Sequence, residues 1–144
     1  MEVRQVLIPR SGIVIDIPRS RIRVHKKTIH SMGDPRFIQL LINPDTRKIG
    51  LVCCSKNAYS SIYVDPKIMA SRNCFEIHGK LLVERLAELF PNWDSGKCYY
   101  IPTSIKTEAN DVFFSMADYM PIKASEVDKL WLEKAAQTIT KIPN

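Results

Sequence analysis

Glycine is scarce in this chain, with five residues in 144. That scarcity excludes a Gly-rich phosphate cradle, because such a loop needs several glycines close together for the backbone to approach a nucleotide. No G-x-S-x-G, H-E-x-x-H or G-x-x-x-x-G-K pattern occurs either, so no motif assigns an enzyme activity and no cofactor is expected. No apolar run approaches the ~20 residues that a membrane helix needs. No secretory signal is expected at the N-terminus: Arg4 and Arg10 flank only Val6, Leu7 and Ile8, with no small-residue cleavage site after them. The chain is therefore expected in the cytoplasm, away from membranes. The cysteines are Cys53, Cys54, Cys74 and Cys98, with no C-x-x-C pair and no matching histidine spacing. Adjacent Cys53 and Cys54 in a strand point to opposite faces and cannot share one ion there. Neither metal nor disulfide is expected, and the thiols read as small buried hydrophobes. Nothing marks a base or an oxyanion hole for a cysteine nucleophile.

What is present is ordinary globular material: 45% hydrophobic and 25% charged residues, in a length that suits one domain over 1–144. The charge is unevenly placed. Residues 1–50 hold ten Lys/Arg against four Asp/Glu, a balance of +6, while residues 51–144 hold eleven of each. Arg10, Arg19, Arg21, Arg23, Lys26 and Lys27 cluster around one acid, Asp16. Such a cluster attracts a polyanion by steering and counterion release; it also fits a plain solvated face.

Hydrophobic period and breakers predict the elements. Strands are expected over 3–8 and 12–17, stopped by Pro9 and Pro18, and over 21–25, where Ile22 and Val24 alternate with Arg21, Arg23 and His25. A short helix over 26–32 stops at Gly33. Residues 37–42 and 49–54 form a hairpin around Asn43-Pro44-Asp45-Thr46. A short strand over 62–64 leads into a connector over 65–73, then a strand over 75–78. The helix over 80–90 presents Leu81, Leu82, Leu86 and Leu89 along one stripe, with Arg85 at its edge, and ends at Pro91. Residues 98–101 and 112–116 read as an antiparallel pair. A terminal helix is expected over 125–141, with Val127, Leu130 and Trp131 on its apolar stripe.

Two segments, 19–54 and 74–118, share the order β-α-β-β. At an offset of 53 residues Ile22 meets Phe75, Val24 meets Ile77, His25 meets His78 and Lys27 meets Lys80. A unit of that size cannot bury both faces of its strands alone, so two copies are expected to pair about a pseudo-two-fold axis. The fold class is therefore α+β: two β-α-β-β repeats forming a barrel-like core, plus the terminal helix. His25 and His78 each stand where a strand meets a helix, where an imidazole caps backbone groups.

The stretch from Arg21-Ile22-Arg23-Val24-His25 to Met32-Gly33-Asp34, followed by a hairpin, resembles the AbrB/SpoVT family of swapped-hairpin transcription factors. The tandem arrangement is similar to the two-unit MraZ members of that family, and the chain is also similar to small uncharacterised proteins of bacteria and their phages. The family resemblance implies a basic strand-and-loop surface lying on duplex DNA, with Arg19, Arg21, Arg23, Lys26 and Lys27 as the contacts. The second copy has Glu76, Gly79 and only Lys80 at the matching places, so one copy binds, or a homodimer brings two basic copies together. Arg21 and Arg23 are expected to leave one strand face outward, opposite Ile22 and Val24. The alternative carried beside this is a non-enzymatic protein–protein adaptor or assembly module. No small-molecule substrate is identified.

Overall fold

The computed structural model describes residues 11–123, 125–127 and 131. The strand expected over 3–8 and most of the expected terminal helix lie outside the described residues; residues 125–127 and 131 are helical.

Strand β1 (Gly12–Asp16) and strand β2 (Arg21–His25) form a hairpin in which Ile15 faces Ile22 and Asp16 faces Arg21. The β-branched run Ile13-Val14-Ile15 suits a pleated, doubly covered surface, and every residue of β1 is buried. Helix α1 (Lys26–Ser31) starts directly after His25, whose Nδ1 accepts from Lys27 N at 3.0 Å, the capping role read from the sequence; His78 does not repeat it, since Gly79 is the N-cap of the later helix over Lys80–Glu88 and no side chain caps it. Helix α1 ends in a Schellman motif: Gly33 N donates to His30 O and Asp34 N to Ile29 O. Gly33 has φ +83°, a conformation cheap only for glycine.

Strand β3 (Phe37–Asn43) and strand β4 (Lys48–Cys53) form the expected hairpin, its turn closed by Asn43 Oδ1, which accepts from Asp45 N and Thr46 N. Strand β5 (Ile62–Tyr63) precedes helix α2 (Pro66–Ser71). The connector expected over 65–73 thus contains a helix, Pro66–Ser71. Its signal is Asp65-Pro66: the Asp65 carboxylate accepts from Lys67 N at 2.9 Å as N-cap, and Pro66 opens the first turn.

Strand β6 (Cys74–His78) leads into helix α3 (Lys80–Glu88). The buried residues of α3 are Val83 and Leu86, and Leu81 is 64% exposed, so the core-facing stripe is rotated from the one expected. Trp93 closes the helix end, stacked on Tyr99 at 4.1 Å and on Phe90 at 4.9 Å. Strand β7 (Cys98–Pro102), strand β8 (Ile105–Lys106), strand β9 (Val112–Ser115) and strand β10 (Met120–Ile122) complete the elements.

The architecture is α+β, with two antiparallel five-stranded sheets in the orders β10-β7-β1-β2-β6 and β5-β3-β4-β9-β8. Among the described residues each sheet is open, with two edge strands. The expected pairing of β7 with β9 does not form: β7 lies between β1 and β10, and β9 between β4 and β8. Burial explains the split. Cys98 to Ile101 are buried on both faces and need a central, doubly covered place, whereas β9 alternates between buried and half-buried residues and fits a sheet covered on one side.

One core joins the two sheets. Ile13, Ile15, Ile22, Val24, Ile77 and Ile101 from the first meet Ile38, Ile49, Leu51, Val112 and Phe114 from the second. The opposite parity of the first sheet forms a smaller cluster, in which Val14, Cys98, Tyr100 and Ile122 lie beneath Val127 and Trp131. Among the described residues no helix is long and apolar enough to cross a membrane.

Candidate functional site

The outer face of the first sheet carries the charges that the sequence singles out. Register sets them in rows: Cys98, Asp16, Arg21 and His78 stand side by side across β7, β1, β2 and β6, and Val14, Arg23 and Glu76 form the next row. Arg21 and Arg23 do share the face opposite Ile22 and Val24, as expected. They do not leave it for solvent.

Arg21 Nε donates to Asp16 Oδ2 at 2.8 Å, and its Nη1 donates to Glu76 Oε2 at 2.7 Å. Asp16 is 1% exposed. It also accepts from Arg19 N at 3.3 Å and from the Cys98 thiol at 3.5 Å. Glu76 uses its second oxygen on His78 Nε2, 3.1 Å away. Arg23 is 9% exposed, with its guanidinium 5.5 Å from the centre of the Trp131 ring. His25 meets the same ring edge-on at 5.0 Å. The guanidiniums of Arg21 and Arg23 are therefore engaged inside the fold. This corrects the outward placement, because neighbouring strands bring Asp16, Glu76 and Trp131 onto the same face.

Arg19 remains on the β1–β2 turn, its side chain 54% exposed and 3.7 Å from Asp16. Lys26 is half-buried and Lys27 exposed at the start of α1. Of the five expected contacts, the structure brings Arg19, Arg21 and Arg23 to one face and sets Lys26 beside a different feature. His25 and His78 stand at opposite ends of the β2–β6 ladder, opposite Cys74 and Arg21 respectively, so the two imidazoles do not form one site.

The Cys98 thiol is pushed up to about 12, chiefly by burial and then by the Asp16 carboxylate beside it. Burial also raises Tyr100, and burial followed by the Asp111 carboxylate raises Cys53. None of these groups is poised as a nucleophile near neutral pH. All four cysteines are free thiols; Cys74 and Cys98 are buried as expected, whereas Cys53 is exposed and Cys54 half-buried, because β4 ends at Cys53 and the chain leaves the core there. Among the described residues no cluster of His, Cys, Asp and Glu has the arrangement to hold a metal ion.

Lys26 lines a cleft of about 440 Å³ between α1 and α2. Ile29, Val64 and Met69 contribute its apolar side, and Lys26, His30, Asp34 and Arg36 its polar side. His30 Nδ1 is hydrogen-bonded to the Asp34 carboxylate. A second concavity, about 730 Å³, lies between α3 and the tip of the β3–β4 hairpin, where Ile42, Pro44, Leu81, Leu82 and Leu89 line it beside Arg85 and Glu88. Sequence reasoning missed His30, Asp34 and Arg36. The spacing of four between His30 and Asp34 was a signal, but the approach of Val64 and Met69 from β5 and α2 had none.

No protein-family model, no curated protein and no solved structure matches this chain.

Proposed function

We propose that the chain is a non-enzymatic DNA-binding protein that meets duplex through the exposed cations around α1 and α2. One observation carries this reading. Lys27, Arg36, Lys67 and Arg72 are exposed and make no ion pair among the described residues, while the nearby carboxylates are committed, Asp34 to His30 and Asp65 to the α2 cap. Exposed cations that no ion pair holds recruit phosphates, with release of condensed counterions. Arg19 and Lys26 extend the set, and Arg21 and Arg23 hold the scaffold. The pseudo-two-fold, two-unit relation belongs to this proposal: Arg23 and Glu76, equivalent at the offset of 53, face each other across β2 and β6, and β4 pairs antiparallel with β9. The different partners of β3 and β7 limit that relation to part of each unit.

Fluorescence anisotropy on a duplex at several salt concentrations tests it. The wild type binds all sequences at ~50 mM salt and loses affinity steeply as salt rises. Lys27→Ala with Arg36→Ala flattens the slope by about 2, roughly one for each phosphate that is no longer neutralised. Absence of wild-type binding at ~50 mM salt overturns the reading.

A second reading, an assembly module, is favoured by the other concavity. Residues 40–43 of β3 pair only with β4 among the described residues, and they carry no Lys or Pro to blunt the edge. Leu41 and Leu81 are exposed beside it. Arg85 and Glu88 on one rim make the face self-complementary for a second copy. Sedimentation equilibrium of the wild type and Leu81→Asp separates the two: a dimer that this change dissociates supports assembly, and a monomer in both excludes it.

A further inference from the structure

The α1–α2 cleft is built differently from a surface that only carries phosphates. Its inner side is apolar: Ile29, Val64 and Met69 are buried, and Pro35, Pro66 and Ala70 also line it. Its volume, about 440 Å³, falls within the ~300–1,000 Å³ of small-molecule sites, and such sites pair an apolar wall with a few convergent polar groups. Here those groups are cationic: the Lys26 ammonium and the Arg36 guanidinium, with no ion pair for either among the described residues.

One carboxylate, Asp34, lines the cleft with them. Asp34 is held on His30 Nδ1, which leaves Nε2 as the ring's remaining hydrogen-bonding nitrogen. Gly33 at φ +83° and Asp34 at φ +52° are consecutive left-handed residues. The first serves the end of α1. The second is an Asp, a residue type that adopts this conformation at single positions. A DNA phosphate has no apolar part to set against Ile29, Val64 and Met69, so Lys26 and Arg36, which the DNA reading sets on phosphates, stand here beside an apolar wall that suits a second kind of ligand.

We propose that the cleft between α1 and α2 binds a small amphiphilic carboxylate, with its apolar body on Ile29, Val64 and Met69 and its carboxylate between Lys26 and Arg36. Arg36 gives the carboxylate a two-donor fork, Lys26 gives a point charge, and removal of the apolar body from water adds to both.

The test is a ¹H–¹⁵N NMR titration of the full chain with sodium octanoate below its micelle concentration, and in parallel with 1-octanol. Octanoate produces saturable shifts confined to residues 26–36 and 64–70, and octanol binds about tenfold more weakly or worse. Lys26→Glu with Arg36→Glu removes octanoate binding. Ala70→Trp removes it as well by filling the cleft with both charges in place, so a failure of the double variant to fold leaves the question decidable. Equal binding of octanol and octanoate, shifts centred on the α3 concavity, or no saturable shift overturns the proposal. No nucleic acid is present in the measurement, so its outcome is separate from that of the DNA reading.

Discussion

Arg21 donates through Nε to Asp16, 2.8 Å away on the neighbouring strand. The same guanidinium reaches Glu76 on the other side at 2.7 Å. One cation thus ties three strands, β1, β2 and β6, and satisfies a carboxylate that water scarcely reaches. An arginine that reads from sequence as a surface contact is, in the fold, the counter-ion of a buried acid.

Arg21→Ala is therefore expected to destabilise the protein by about 3 kcal/mol, since it leaves Asp16 buried without its guanidinium. Arg21→Lys recovers only part of the loss, because a single ammonium cannot span Asp16 and Glu76 as the fork does. Urea unfolding of both variants checks this. Equal stability of wild type and Arg21→Ala would mean that Asp16 finds another partner or water.

Thr28 and Gly12 make a second buried link. Gly12 N donates to Thr28 Oγ1 at 2.8 Å, and the hydroxyl lies 3.3 Å from Gly12 O. Thr28→Val keeps the shape and removes the partner, stranding the Gly12 N–H in the interior. The expected cost is about 1–3 kcal/mol, read from the shift in the denaturant midpoint at unchanged slope.

Trp131 covers the outer face of the first sheet, in contact with His25 and Arg23. Trp131→Ala opens that cluster and is expected to cost about 3–5 kcal/mol. Amide hydrogen exchange localises the effect: faster exchange should appear at Val14 and Tyr100 ahead of Ile49 and Leu51, because the first pair belongs to the outer cluster and the second to the shared core.

Cys98 makes stability depend on alkaline pH. Its thiol is raised from an ordinary value of 9.0 to about 12 in the folded chain. Between those values the unfolded thiol ionises and the folded one keeps its proton, so the folded state binds more protons. The contribution is fully present below pH ~9 and is lost as pH rises toward ~12. Thermal melts between neutral and alkaline pH should fall more steeply for the wild type than for Cys98→Ala. Matching pH slopes would remove Cys98 from the account. The buried Cys98 thiol should also resist a bulky thiol reagent until the protein unfolds.

Local chemistry was legible without the fold. The run of β-branched residues at Ile13-Val14-Ile15, the alternation through Ile22 and Val24, the Asn43 turn, Gly33 as a helix stop and His25 as a cap depend on neighbours within a few residues, and each stands where the sequence placed it. The Asp65 cap is equally local, and Asp65-Pro66 reads as a helix start as readily as a turn. What only the tertiary structure decided is where distant strands lie. Nothing local in Cys98 to Ile101 distinguishes a hairpin partner for β9 from a central strand between β1 and β10; long-range burial on both faces does. The same holds for the charges. A strand's period of two fixes that Arg21 and Arg23 share a face, but their solvent exposure depends on Asp16, Glu76 and Trp131, which are neighbours in space through register and not through sequence. The α1–α2 cleft follows the same logic: His30 and Asp34 are four residues apart and pair locally, whereas Val64 and Met69 reach them only because β5 pairs with the start of β3 and carries α2 to that side.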